Sequence, residues 1–157
     1  MNCITFREDI PSWDSYFMGL AKFASSRSKD PKTQVGACIV NKRHEVLSLG
    51  YNGMPFGIPD DDEHWSDEVK HDFVVHAEQN AINIYKGDLT GTILYVTLFP
   101  CHKCAQIIIQ SGICEIVYEK MKKSSSIKYD SSLKLLKEAG IKVRQYEPVE
   151  KSITIKI

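Results

Sequence analysis

Two short stretches, His76-Ala77-Glu78 and Pro100-Cys101-His102-Lys103-Cys104, constrain this chain more than any other feature. One imidazole and two thiols supply three ligands to a tetrahedral zinc and leave the fourth position for water, which is the pattern of a catalytic rather than a closed structural site. Using them requires a fold that brings the segment around residue 76 against the one around residue 101. Glu78 is the spare group. It lies two positions from the histidine, too close to complete the same tetrahedron easily, but well placed to pass a proton to and from a coordinated water.

Zn²⁺ with two thiolates and a neutral imidazole is formally uncharged, so the metal keeps enough Lewis acidity to bring the pKa of bound water towards roughly 7. H-x-E followed by P-C-x-x-C is the signature of zinc nucleobase deaminases, and both halves are present in full. A lone C-x-x-C also occurs in redox motifs and zinc ribbons. Those readings lack support here, because Cys3, Cys38 and Cys114 form no second pair and no thioredoxin-like βαβ unit opens the chain. Cys3, Cys38, His64 and His71 likewise lack ligand spacing for a second, structural zinc.

At 157 residues the chain is long enough for one domain with a core and too short for two ordinary ones. A single domain over residues 1–157 is expected, with its core over about 12–147 and a tail from 148. No apolar run approaches a membrane span, and the start carries no basic stretch followed by an apolar block. Free cysteines suit a reducing, cytoplasmic setting. The 20 basic and 20 acidic side chains balance, which argues against gripping long nucleic acid through its phosphates and for a small substrate.

Ser12 to Arg27 reads as an amphipathic helix capped by Ser12, with Trp13, Tyr16, Phe17, Leu20, Phe23 and Ala24 as a core stripe. Pro31 ends helical geometry at Asp30. Gln34 to Val40 and Val46 to Tyr51 predict an antiparallel hairpin, with Ala37, Ile39, Val46 and Leu47 in the core and Cys38 a buried small hydrophobe. Gly50 to Gly57 is glycine-rich, so that backbone can turn sharply or pass close to something. Ile58 to Asp72 is irregular, and its acidic run Asp60-Asp61-Asp62-Glu63 reads as a solvated face. A helix from His76 to about Tyr85, a strand over Ile93 to Leu98, a helix over Cys101 to Ser111, a strand over Ile113 to Tyr118, a helix over Ser131 to Ala139 and a strand over Ile141 to Tyr146 imply parallel pairing with right-handed crossovers. Both ligand groups then sit where a helix begins, where the positive helix end favours thiolate and hydroxide. Ser124-Ser125-Ser126 reads as a flexible loop, and Lys151 to Ile157 as either an edge strand or a docking tail.

The segment from Arg27 to Val40, Gly50-Tyr51-Asn52-Gly53-Met54-Pro55, His76 to Ile82, and Phe99 to Ala105, with Ile107 to Ile113, resemble the deoxycytidylate deaminases, which convert dCMP to dUMP. The zinc motifs alone belong to the whole superfamily; the first two stretches are more specific. The resemblance implies an α/β fold of cytidine-deaminase type, a three-layer α/β/α sandwich around a mixed five-stranded sheet. It implies His76, Cys101 and Cys104 as zinc ligands and Glu78 as the proton shuttle. Asn52 is expected to hydrogen-bond the sugar, Val35, Gly36 and Ala37 to wall the base, and Arg27, Lys29, Lys128 and Tyr129 to bind or gate the 5′-phosphate. It further implies a homohexamer supplying dUMP for thymidylate synthesis, activated by dCTP and inhibited by dTTP. The regulator, with an accompanying Mg²⁺, would sit at the loop of Gly50, Gly53, Met54 and Gly57.

Hydrolytic deamination assigns Glu78 the proton traffic between water, N3 of cytosine and the departing amine. The rivals are a deaminase of cytidine, tRNA adenosine or single-stranded DNA, and a zinc-stabilised nucleotide-binding protein without turnover. Neutral charge and the lack of a basic aromatic groove count against polynucleotides. The carboxylate of Glu78 beside an open zinc position counts against a binding-only role.

Overall fold

A computed structural model describes residues 7–122, 127–149 and 152–157, with the side chains of residues 127 and 128 left aside. Helix α1 spans Trp13–Ser25, and the Ser12 side chain accepts from the Ser15 backbone N–H, the cap expected from sequence. The strands are β1 (Gly36–Val40), β2 (Val46–Tyr51), β3 (Ile93–Leu98), β4 (Glu115–Lys120) and β5 (Lys142–Gln145). The other helices are the short α2 (Lys70–Phe73), α3 (Ala77–Ile84), α4 (His102–Gln110) and α5 (Ile127–Glu138). The sheet order is β2-β1-β3-β4-β5. β1 pairs antiparallel with β2 and β3, while β3, β4 and β5 run parallel, so the expected hairpin and parallel pairing are both present.

Side chains alternate between the two faces of the sheet, as a strand's period of two requires. Ala37 and Ile39 of β1 with Leu94 and Val96 of β3 pack with α3, α4 and α5 in the larger core. Cys38, Val40, Tyr95 and Val117 pack on the opposite face against Phe17, Met18 and Ala21 of α1. These are the three layers of an α/β/α sandwich with a mixed five-stranded sheet. Two glycines let the helices approach. A Cβ at Gly36 would lie 1.8 Å from the Ala21 carbonyl oxygen of α1, and one at Gly50 would lie 2.3 Å from that of Ala77 in α3. Cys38 is buried as expected, and burial pushes its thiol pKa up to about 12.

Several expectations need correction. Trp13, Tyr16 and Phe23 are not core: they are 54%, 42% and 63% exposed, and only Phe17 and Ala24 of the expected stripe are buried, with Leu20 packed at the edge. The helical period places apolar side chains on a broad arc, and the sheet covers only the part centred on Phe17, Met18 and Ala21. Val46 is also exposed and, with Ile10, Trp13, Tyr16 and His44, lines an open groove of about 930 Å³. β4 sits two residues later than read, because Gly112 turns at φ 83° and Cys114 is still bonding to Thr92 ahead of the strand. α5 begins at Ile127, a turn before Ser131. The 58–72 segment, irregular in sequence, ends in α2. Residues 152–157 are exposed and belong to no strand, whereas Ser124 to Ser126, Cys3 and Lys151 lie outside the described residues.

Candidate metal centre

His76 is the N-cap of α3 and Cys101 the N-cap of α4, both in extended conformation. Each ligand group therefore enters where unpaired N–H groups and the positive helix end concentrate. The start of α3 is fixed by Gln79, whose side-chain oxygen accepts from the His76 backbone N–H at 3.0 Å. The start of α4 follows from β3, whose carboxyl end leads through Phe99 and Pro100 into Cys101, and the Phe99 N–H still bonds the Lys120 carbonyl. Buried Ser132 of α5 donates to the Pro100 carbonyl at 2.8 Å, tying a third helix to the same turn.

The His76 Nδ1 lies 3.3 Å from the Cys104 sulfur and 3.7 Å from the Cys101 sulfur. All three ligand atoms fall within 4.8 Å of one another, and among the described residues this is the one such group. Zinc–sulfur and zinc–nitrogen bonds of about 2.3 and 2.05 Å at tetrahedral angles put nitrogen and sulfur about 3.6 Å apart. The donor set and its spacing thus fit tetrahedral zinc. The two thiols hold their protons unequally: the hydrogen bond from Cys104, together with His76, pulls the Cys101 pKa down to about 3, while that same bond and burial push Cys104 upward. The hydrogen bond to Cys101 raises the imidazole pKa of His76.

Glu78 sits in the first turn of α3 and is 4% exposed. Burial raises its carboxyl pKa, opposed in part by His76. A buried carboxyl shifted in that direction beside a metal site is the kind of group that can take and give a proton.

The other expected site residues divide into groups. Val35 and Ala37 are buried on the metal-bearing face, while the missing side chain of Gly36 points at α1 and its N–H donates to the Thr97 hydroxyl. Asn52 is buried and forked: its side-chain oxygen accepts from Val35 N–H at 2.8 Å and its amide donates to the Thr33 carbonyl at 3.0 Å. Tyr129 packs near Phe99, and burial first, then the charges of Cys101, Glu78 and Cys104, raise its phenol pKa, so α5 brings it to the site. Arg27 is exposed, and Lys29 is engaged at 2.7 Å by Asp60. The Lys128 side chain lies outside the described groups. Gly50 lies in β2 against α3, Gly53 pairs with Val75, Met54 is half-buried and Gly57 turns at φ 88°.

Sequence reasoning missed Gln79, Ser132 and Lys122. Gln79 carries a readable signal, the N3 position of a capping box. Lys122 follows β4 closely enough that its charge opposes protonation of His76. Neither Lys122 nor Ser132 has a local signal, because their partners are distant in sequence.

Residues 11–120 match the family described as the cytidine and deoxycytidylate deaminase zinc-binding region. The chain is 42% identical to the deoxycytidylate deaminase of Mus musculus over 95% of its own length and 88% of that protein. It is also 42% identical to a probable deoxycytidylate deaminase of Drosophila melanogaster, covering 79% of that protein. Among solved structures, the dCMP deaminase of cyanophage S-TIM5 in complex with dCMP and dUMP aligns with a TM-score of 0.71 and 25% identity, over 90% of this chain and 100% of that one. With its His-Cys-Cys group, its buried glutamate and this mixed sheet, the chain belongs to the cytidine and deoxycytidylate deaminase family.

Proposed function

We propose that this protein is a zinc-dependent dCMP deaminase, producing dUMP and ammonia by hydrolysis. The observation that carries the reading is the convergence of His76 Nδ1, Cys101 and Cys104 within 4.8 Å beside the buried Glu78. Two findings support the substrate: the deoxycytidylate deaminases among its relatives, and the phage dCMP deaminase solved in complex with dCMP and dUMP.

His76, Cys101 and Cys104 would hold the zinc, which would supply a Lewis acid that makes water nucleophilic near neutral pH. Glu78 accepts a proton from the attacking water as the oxygen adds to C4, and passes that proton to N3 of the base. It then takes the second proton, from the hydroxyl added at C4, and gives it to the departing amine, so that one water is consumed and one ammonia released per base. Its burial matters because a carboxyl held above its ordinary range transfers protons in both directions. Val35 and Ala37 offer side chains to wall the base, with Gly36 contributing backbone. Asn52 binds the sugar with whatever hydrogen-bonding capacity its fork leaves free, since each amide group can make a second bond. For the 5′-phosphate, Tyr129 is the candidate that α5 brings beside the metal group, Lys128 follows from the family resemblance, and Arg27 and Lys29 are weaker choices because one is merely exposed and the other paired.

The same reading extends to a cytoplasmic homohexamer serving thymidylate synthesis, with dCTP as activator, dTTP as inhibitor and Mg²⁺ accompanying the triphosphate at the loop from Gly50 to Gly57. Ammonia release from zinc-loaded protein given dCMP, CMP, deoxycytidine and dCTP separately, with and without dCTP as effector, is the test. A preference for dCMP of about a hundredfold or more is expected for a site that reads sugar and phosphate. No turnover of any of the four with zinc bound would overturn it.

A further inference from the structure

The 58–72 segment, unexplained by sequence, ends in a buried ion pair. Lys70 and Asp30 are each 6% exposed, and the Lys70 ammonium lies 3.3 and 3.5 Å from the two carboxylate oxygens of Asp30. Asp30 does more than balance charge. Its Oδ1 also accepts from the Lys32 and Thr33 backbone N–H groups at 2.8 and 3.1 Å, and its carbonyl accepts from the Gln34 side chain. The carboxylate therefore shapes the turn that leads into β1.

That turn is held from its other end by Asn52, through Thr33 and Val35. The residue after Asn52, Gly53, exchanges both backbone hydrogen bonds with Val75, which immediately precedes His76. Lys70 closes the circuit, because its own carbonyl accepts from the Val74 N–H. One continuous chain of contacts thus joins Lys70, Asp30, the Thr33–Val35 backbone, Asn52, Gly53, Val75 and the ligand His76. Exposed partners trail from it: Asp67 lies 3.9 Å from the Lys70 ammonium and pairs with Lys32.

We propose that Lys70 is a positioning residue, which through Asp30 holds the turn before β1 and Asn52 in the place that sets nucleotide binding next to the metal site. The inference rests on the proposed dCMP reading. Without the ammonium, the buried carboxylate has lost the charge that balances it and must reach water, and the turn it shapes moves with it. The displacement falls first on the groups that hold the base and sugar, because His76 and Glu78 are also held by Gln79 and by the close approach of α3 to Gly50, and Cys101 and Cys104 by the start of α4.

The test is steady-state kinetics with dCMP for Lys70→Met, Asp30→Asn and the double variant, alongside zinc content and thermal unfolding. Lys70→Met is expected to raise KM about tenfold or more while kcat falls less than about threefold and zinc stays at the wild-type level. Asn at position 30 keeps an acceptor for Lys32 and Thr33, so the double variant, with no buried charge to hydrate, is expected to bring KM back within about threefold of wild type. Should Lys70→Met fail to fold, Asp30→Asn alone carries the same expected rise in KM. Wild-type KM in single variants that fold, even with lowered unfolding temperature, would show a merely structural pair and overturn the inference. So would a fall in kcat with loss of zinc. A wild-type enzyme inactive on dCMP overturns the functional reading first and this inference with it.

Discussion

The two faces of the sheet use the same strands differently. On one, α3, α4 and α5 surround a large core and bring the starts of two helices onto one cluster of ligands. On the other, α1 covers Cys38, Tyr95 and Val117 with Phe17 and Met18, and leaves Trp13, Tyr16 and Phe23 turned outward. On the proposed reading, chemistry sits on the face where geometry is over-determined. His76 is fixed by Gln79, by the Gly53–Val75 pairing and by the approach of α3 to β2, whereas α1 is fixed by burial and a few polar ties. A change on the first face should therefore cost activity out of proportion to stability, and a change on the second should do the reverse.

Gly50→Ala gives the largest expected effect on that comparison. The added methyl meets the Ala77 carbonyl at 2.3 Å and the Ala81 nitrogen at 2.5 Å, both backbone atoms that cannot rotate away. α3 must shift, carrying His76 and Glu78, and misplacement of about 1 Å lowers turnover about a hundredfold. Comparing dCMP turnover with the urea midpoint of the variant checks this, and turnover falling only as far as the folded fraction would break the comparison. Phe17→Ala is the converse. Removing a ring buried on the α1 face is expected to cost about 3–5 kcal/mol of stability, read by denaturant titration, with kcat of the folded fraction within about threefold of wild type.

The smallest effect concerns acid. The Arg144 guanidinium, which pairs with Asp14 at 2.8 Å, holds that carboxyl below the usual range, with Tyr95 also donating to it. A carboxyl whose folded pKa is depressed contributes stability above its unfolded pKa of about 3.9 and loses it as pH falls through the folded value. The stability difference between wild type and Asp14→Asn is therefore expected to be full above about pH 5 and to shrink below about pH 4. A difference independent of pH would remove the pair from the account of the α1 face.

The metal face was the more legible of the two. His-x-Glu and Cys-x-x-Cys are local patterns whose chemistry allows few uses, and the glycines from Gly50 to Gly57 signalled a sharp turn or a close approach without saying which or to what. Parallel pairing from β3 to β5 followed from alternation of strand and helix. What stayed hidden depends on distant partners. The stripe on α1 satisfied helical periodicity, yet periodicity cannot say how wide a face the sheet will cover. Lys70 sits in a segment with no period at all, and nothing near it in sequence marks Asp30, 40 residues earlier, as its partner. Lys29 looked free to meet a phosphate until the fold placed Asp60 beside it.

Glu78 as the proton carrier is tested by turnover of dCMP by Glu78→Gln with its zinc counted. Glutamine keeps the shape of the side chain and cannot exchange the proton, so zinc per chain should match wild type while kcat falls about 10²–10⁴-fold. Wild-type turnover with zinc intact would contradict the account, because the buried carboxyl would then have no part in the reaction.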